Sequence, residues 1–364
     1  MNKIKAFLAR KGVVCSFRQY GVDALGAMAQ GLFCTLLVGT ILNTLGQQLH
    51  IGFLTAPVVS VGTVSYTVGG LASAMVGPGI AVAIGTALHC PPLVLFSLIP
   101  VGFAANAMGG AGGPLAVYAV TIIAAELGKL VSKETRIDIL VTPCVTVIAG
   151  IAVAQLIAAP IGTAARAVGL AIMWATELQP FFMGVLVSAL IGIALTLPIS
   201  SAAICAAFGL TGLAGGAAVA GCCAQMVGFA VMSFKENRWG GLVAQGVGTS
   251  MLQMPNILKN PRIWIPPTLA SMITGPLATC VFHLQMNGSP VSSGMGTCGF
   301  VGQIGVYTGW VSDIAAGTKA AITPMDWIGL VLICFILPAV LSTLFCRVLE
   351  KRGWIREGDM KLDL

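Results

Sequence analysis

Charge is scarce in this chain. Of its 364 residues only 9% are charged and 57% are hydrophobic, and the mean hydropathy is +0.95. Soluble domains carry about 25% charged residues, so a soluble fold is excluded and the chain reads as an all-α polytopic membrane protein. A Walker A loop, an HExxH helix and a nucleophile elbow are also missing, which removes the nucleotide, zinc-protease and serine-hydrolase chemistries those motifs support. The glycine doublets Gly109-Gly110 and Gly112-Gly113 lie within apolar spans, the wrong setting for a phosphate cradle. Eleven cysteines are present, but the number is odd and no CxxC occurs. Neither a disulfide framework nor a metal site is expected, and no cofactor. The basic start runs into a full-length span with no small-residue cleavage site, unlike a secretory signal.

A span needs about 20 apolar residues, so with short loops about eight to ten fit. The 46 glycines suit helices packed backbone to backbone. A net charge of +7 raises nucleic acid as a partner, but its placement argues for a membrane instead. Lys3, Lys5, Arg10, Lys11 and Arg18 precede the first span, and Arg347, Lys351, Arg352, Arg356 and Lys361 follow the last. Such clusters mark the cytoplasmic side, which puts both termini inside and makes the span count even. Residues 1–20 read as a cytoplasmic amphipathic lead with Ile4, Phe7 and Leu8 on one face, 21–346 as one transmembrane domain, and 347–364 as a cytoplasmic tail. Within the domain, about 21–160 and about 176–346 read as two halves.

Val22–Leu45 is the first span, and the glycine-rich run 51–88 reads as two helices joined near Gly77-Pro78-Gly79. His89-Cys90-Pro91-Pro92 is a hard stop, because the residue before a proline is pushed out of the helical region. A short apolar piece, a glycine-rich break at Asn106–Pro114 and a resumed helix follow, with a polar loop over Lys129–Asp138. Leu140–Ala159 is a span closed by Pro160, and Ile161–Ala175 an interfacial helix. The next span runs to Leu195, a polar turn covers Leu197–Ser201, and Phe234–Trp239 is a basic loop. Thr268–Leu284 and Trp327–Cys346 are later spans, separated by the polar, glycine-rich segment Asn287–Gly299.

The stretch Gly248–Pro267, GTSMLQMPNILKNPRIWIPP, breaks this apolar field with four prolines and several amides. No regular helix runs through it, and broken backbone at membrane depth survives only where protein or a wet cavity surrounds it. Thr249–Asn256, which is uncharged, reads as a re-entrant, site-lining segment; Lys259–Arg262 reads as a loop. The bland alternative is a loop throughout. Intramembrane ionisable groups are few. Glu126 and Lys129 read as an exposed helix-end pair. Glu177 either caps the helix that follows or faces a cavity. His283, like His89, either contacts a ligand or is structural, and Asp313 and Asp326 fall in loops or at helix ends. Gln253, Asn256, Ser200, Ser201, Thr249, Ser292, Ser293, Thr297 and Gln303 form an uncharged polar set that suits a polyol better than an ion.

The run NPRIWIPPTLAS (Asn260–Ser271) resembles the NPxxxIPFxLxP segment of the membrane IIC components of the bacterial sugar phosphotransferase system. GTSMLQMPNILKNP, LPISSAAI and GLAGGAAVAG resemble most a stand-alone branch, some of whose members are named as toxin-gene regulators. The resemblance implies about ten transmembrane helices with two re-entrant hairpins in a homodimer of the bacterial cell membrane. It also implies a sugar held at the hairpin tips, and separate IIA and IIB proteins as phosphoryl donors. At most the chain is the membrane permease part of a phosphohistidine–sugar phosphotransferase. Sugar-transporting relatives carry a glutamate in a GITEP or NEP motif before the NP, whereas Gly246–Pro255 has no acid here. Glu177 or Gln253 is left to substitute. The alternative is a non-phosphorylating facilitator, or a membrane sensor or regulator, on the same fold. Cysteines introduced singly at Lys5, Lys133, Lys235 and Lys361 should all be labelled from the cytoplasmic side only; periplasmic labelling of position 133 or 235 overturns the topology.

Overall fold

A computed structural model describes residues 7, 8, 10–13 and 16–362. Lys5 and the rest of the first six residues lie outside it. The chain divides into two compact units, Met1–Ala164 and Ala165–Leu364.

In the first unit, α1 (Arg18–Gln48) is an apolar helix of 31 residues, loosened by π turns at Arg18–Asp23 and Phe33–Leu37. The run after it is not helical as expected from its glycines. Val-Ser-Val and Val-Ser-Tyr flank Gly62-Thr63 and form an antiparallel hairpin, β1 (Val59–Val61) and β2 (Val64–Tyr66). Gly62 has a φ of +60°, which a two-residue hairpin turn requires. Alternating β-branched residues outweigh glycine content here. Helix α2 (Val68–Ala74) meets α3 (Val76–Ala87) at a 53° bend, so the joint is at Met75, just before the expected glycines. His89, with a φ of +53°, and the two prolines end α3 as anticipated.

Helices α4 (Pro92–Gly109) and α5 (Gly113–Val131) fold back on each other at Gly110, whose φ of 52° and ψ of −122° reverse the chain. Gly128 of α5 lies against Val94 of α4, and Gly113 against Asn106, the antiparallel register of a helical hairpin. Glu126 and Lys129 pair at 2.8 Å, but the lysine side chain is only 1% exposed. Lys129 Nζ also donates to Gly12 O at 3.0 Å and Leu88 O at 3.3 Å. The pair is therefore buried, because the lead and the end of α3 close over it. Helix α6 (Asp138–Thr176) continues for 39 residues through Pro143 and Pro160, roughly 58 Å at 1.5 Å per residue. Pro160 does not end it. A proline inside an apolar helix is tolerated where neighbouring helices and side chains answer the carbonyl it frees.

In the second unit α7 (Pro180–Thr196) leads through the short α8 (Ser201–Ala207) to α9 (Gly212–Met232). The expected basic loop is helical: α10 (Phe234–Val243) is kinked at Arg238, whose φ is +51°. The proline-rich stretch is broken, as read from the sequence. It passes through a π turn (Ala244–Gly248), a 3-10 turn (Ser250–Gln253), the short α11 (Met254–Lys259) and a second 3-10 turn (Pro261–Trp264). Helix α12 (Ile265–Pro276) follows, extended by a π turn to Val281. After the polar segment come α13 (Val301–Ala315), which was not singled out from the sequence, and α14 (Pro324–Lys351).

Among the described residues five helices are long and apolar enough to cross a membrane, or six if α2 and α3 count as one bent span. That is fewer than eight to ten because α7, α12 and α13 are short. In this unit α7, α12 and α14 pack around α9, and glycines set the spacing. A methyl at Gly221 of α9 would run into Ser188 O of α7, and one at Gly275 of α12 into Gly184 O of α7. Gly221→Ala should therefore destabilise the unit by about 1–3 kcal/mol, the usual cost of overpacking, read as a lower unfolding temperature in detergent. Gly240→Ala, where nothing lies within 4 Å, is the control expected to change little.

Candidate functional site

Helix α9 has 21 residues, about 31 Å at 1.5 Å per residue, close to the roughly 30 Å of a bilayer core. It is buried almost all round, so a polar side chain on it must find its partners in protein. Gln225 is the amide on this helix and is 0% exposed. Its Oε1 accepts from Trp264 Nε1 at 3.0 Å and from the Thr196 hydroxyl at 3.3 Å. Its Nε2 donates to Thr268 Oγ1 at 3.1 Å. Thr196 and Ser250 share a hydroxyl–hydroxyl bond of 2.8 Å. The end of α7, the middle of α9, the broken stretch and the start of α12 thus converge on one uncharged cluster. Gln225, Thr196 and Trp264 were missed in the sequence, although a lone amide in a run of alanine, glycine, cysteine and valine was a readable signal.

Toward the C-terminal end of α9 the amides form a relay. Gln245 Nε2 donates to Ser233 Oγ at 2.8 Å, Gln253 Nε2 to Gln245 Oε1 at 2.9 Å, and Asn256 Nδ2 to Gln253 Oε1 at 2.9 Å. Gln253 is 0% and Asn256 5% exposed, so these two predicted residues do come together. Their remaining donors are taken by the C-terminal tail. Gln253 Nε2 reaches Met360 O and Asn256 Nδ2 reaches Lys361 O, each at 2.9 Å. The tail does not hang free, as expected from its charge. Arg347–Lys351 complete α14, and the residues after it fold back. Asn237 bonds Met360 O and Leu362 N, each at 2.8 Å, and Glu236 accepts from Gly358 N at 2.9 Å and Met360 N at 3.0 Å. Asn260 Nδ2 donates to Trp354 O at 3.0 Å and Asp359 Oδ2 at 2.7 Å. Burial pushes the Glu236 carboxyl up, against the pull of its two backbone donors.

Toward the other end lies the serine and threonine group. Ser201 Oγ donates to Gly294 O at 2.7 Å, Ser293 Oγ to Leu210 O at 2.6 Å, and Thr297 Oγ1 to Met226 Sδ at 3.5 Å. Ser292 is 7% exposed beside them. Gln303 Nε2 donates to Cys223 Sγ at 3.2 Å, while its buried Oε1 has no partner among the described residues. Two predicted residues have local duties. Ser200 caps α8 by accepting from Ala203 N at 3.1 Å, and Thr249 accepts from Met251 N at 3.2 Å. Two others are elsewhere. Glu177 is exposed in the turn before α7, at the opposite end of that helix from Thr196. His283 is exposed after α12, with a φ of +44°.

A polytopic helical protein with broken segments and an uncharged, hydrogen-bonded set of side chains along a buried helix fits the class that moves polar solutes through membranes. A family model described as phosphotransferase system, EIIC, matches residues 22–362, and the chain belongs to that family. Membership makes it a membrane permease component of that system, of a kind that in general takes a sugar and works with IIA and IIB phosphoryl-transfer proteins. No curated protein and no solved structure matches the chain. Gln225→Leu should strand the Trp264 indole N–H, costing about 1–3 kcal/mol for the unsatisfied group, while Thr196 and Thr268 keep Ser250 and Trp264 O as partners. A thermal unfolding midpoint equal to that of the unsubstituted protein would show the cluster to be incidental.

Proposed function

We propose that this permease component carries an uncharged, hydroxyl-rich solute, a sugar, along α9 of the second unit. The observation that carries the reading is chemical. Among the described residues, the buried polar groups along α9 are amides and hydroxyls with no ion pair among them, and one of their acceptors, Gln303 Oε1, is unpartnered. Such groups can trade hydrogen bonds with a polyol without the desolvation cost of a buried charge. On this reading Gln253, Asn256, Ser201, Ser292 and Thr297 meet the solute, and Ser200 and Thr249 shape the turns that present them. The α4–α5 hairpin and the broken stretch Ala244–Trp264 are the candidates for the two re-entrant hairpins of a ten-helix arrangement. A homodimer in a bacterial cell membrane with both termini cytoplasmic completes the proposal.

Coupling to phosphorylation needs a group to take up the proton of the sugar hydroxyl as phosphate arrives. The motif acid is missing and Glu177 is exposed and remote from Gln225's cluster, which favours a carboxylate-independent protein. A second reading, a sensor or regulator on the same fold, draws support from the tail. Gln253 and Asn256 are bonded to Met360 and Lys361, so solute that competes for these amides would alter the tail's hold.

The test is a thermal-shift screen of the purified protein over neutral sugars and polyols, since a ligand that binds the folded state raises its apparent stability. Gln253→Ala and Asn256→Ala should each weaken binding of a hit by about 1–3 kcal/mol, and Glu177→Gln should leave it unchanged. Phosphorylated sugar formed with a cognate IIB partner and abolished by Glu177→Gln would reverse the carboxylate-independent reading. Solute-dependent hydrogen exchange at residues 354–362 without uptake would favour the sensor.

A further inference from the structure

The second unit has another polar concavity, at the end of α9 away from the tail. It encloses about 490 Å³, within the roughly 300–1,000 Å³ of small-molecule sites. Phe282 and Trp310 supply its apolar wall, and His283, Gln285, Asn287 and Asp313 its polar one. The backbone there is fixed. Gly212 and Met286 exchange two hydrogen bonds of 3.0 Å, turning the Met286 side chain inward and leaving Gln285 exposed and Asn287 half-buried. A methyl at Gly309 would stand 2.7 Å from Asn287 N, so the segment lies directly on α13 and brings Asn287 beside Asp313.

The polar groups divide into spent and open ones. Lys319 Nζ is committed to Asp326 Oδ1 at 2.9 Å and lies 5.8 Å over the Trp310 ring. Asp326 Oδ2 accepts from Thr323 N at 2.7 Å and from its hydroxyl at 2.9 Å. Asn287 Nδ2 bridges Asp313 Oδ2 at 2.8 Å and Gln285 Oε1 at 3.2 Å. That leaves Asp313 Oδ1, Gln285 Nε2 and the His283 ring without a hydrogen-bond partner among the described residues. One acceptor, one donor and one group able to be either face a cavity whose uncompensated charge is a single carboxylate. An anionic ligand such as a sugar phosphate is disfavoured there by that charge. Vicinal hydroxyls, each both donor and acceptor, match the open set.

We propose that this cavity is a capture site for a neutral, hydroxyl-rich solute, which then passes along α9 toward Gln225. The assignment rests on the solute reading above and adds to it a place of first contact. With the tail end cytoplasmic, the cavity faces the outside. Asp313 and Gln285 orient the hydroxyls, and His283 flanks them.

Calorimetric titration of the purified full chain with D-glucose, D-mannitol, N-acetylglucosamine and cellobiose tests it, followed by uptake of the tightest binder into proteoliposomes. Asp313→Ala should weaken binding roughly tenfold to a hundredfold and Gln285→Ala roughly tenfold. In uptake, KM should rise by the same factors with kcat retained. Gln285 is exposed, so its variant folds even if Asp313→Ala does not. Sugar binding and uptake kinetics unchanged in both variants would overturn the capture site and leave the solute reading standing. If none of the four binds the unsubstituted protein, both fail together. Calcium chloride binding that is lost in Asp313→Ala, with sugar binding unaffected, would overturn the polyol assignment in favour of a cation site.

Discussion

Hydrocarbon offers no hydrogen bonds, so every interruption of a helix within it must be answered by protein. The longest interruption in the second unit is the segment from Ala244 to Trp264, where π, 3-10 and short α turns follow one another. Its side-chain amides do not point into lipid. They form a relay from Ser233 through Gln245 and Gln253 to Asn256, and the relay ends on carbonyls of the tail. Broken backbone, buried amides and folded tail are consequently one feature. Remove the tail's two carbonyls and the outermost amides need another acceptor, which only water or a solute can supply.

Close packing makes the same demand on α9. Because Gly221 meets Ser188 and Gly275 meets Gly184 at backbone contact, α7, α9 and α12 leave no room for lipid between them. Ser188 Oγ adds a 2.7 Å bond to Ser271 O across α7 and α12. Small residues here are what allow a 21-residue helix to be enclosed on every side. An amide placed on an enclosed helix costs stability unless it is paired, and Gln225 is paired with three elements. The glycines and the polar cluster depend on each other.

Local composition made part of this legible. Prolines and amides at Gly248–Pro267 predicted a break, and His89–Pro92 predicted a stop; both follow from what proline does to its own and the preceding residue. Gln253 and Asn256 were singled out as solute contacts because both lie on that break, and the bond between them was not foreseen. What failed were inferences about strength. Pro160 was weighed as a terminator as it would be in water, but inside an apolar helix it is only an interruption. Val59–Tyr66 was read by its glycines when its period of two decided the outcome. The Gln225 cluster depends on Thr196, Ser250, Trp264 and Thr268 meeting across up to 72 positions of sequence, which no local pattern encodes. The folded tail was hidden for the same reason: its charge said cytoplasm, and nothing in it named Asn237 or Gln253 as partners.

The chemistry of the tail contact bears on what could release it. A carboxyl whose pKa is raised on folding contributes most when protonated, and its contribution falls as pH rises through the raised value. Glu236 is such a group, pushed up by burial, so its contribution to the clasp falls as pH rises. The other anchors are Asn237, Gln253, Asn256 and Asn260, amides that do not titrate. Their bonds to Trp354, Met360, Lys361 and Leu362 are indifferent to pH and, being uncharged, little affected by salt. Acidity reaches this contact only through Glu236 and the Asp359 carboxylate that accepts from Asn260, and for the amide-to-backbone bonds it is no trigger. A molecule that competes for amide hydrogen bonds is, and a hydroxyl-rich solute reaching Gln253 from the direction of Gln225 has that chemistry.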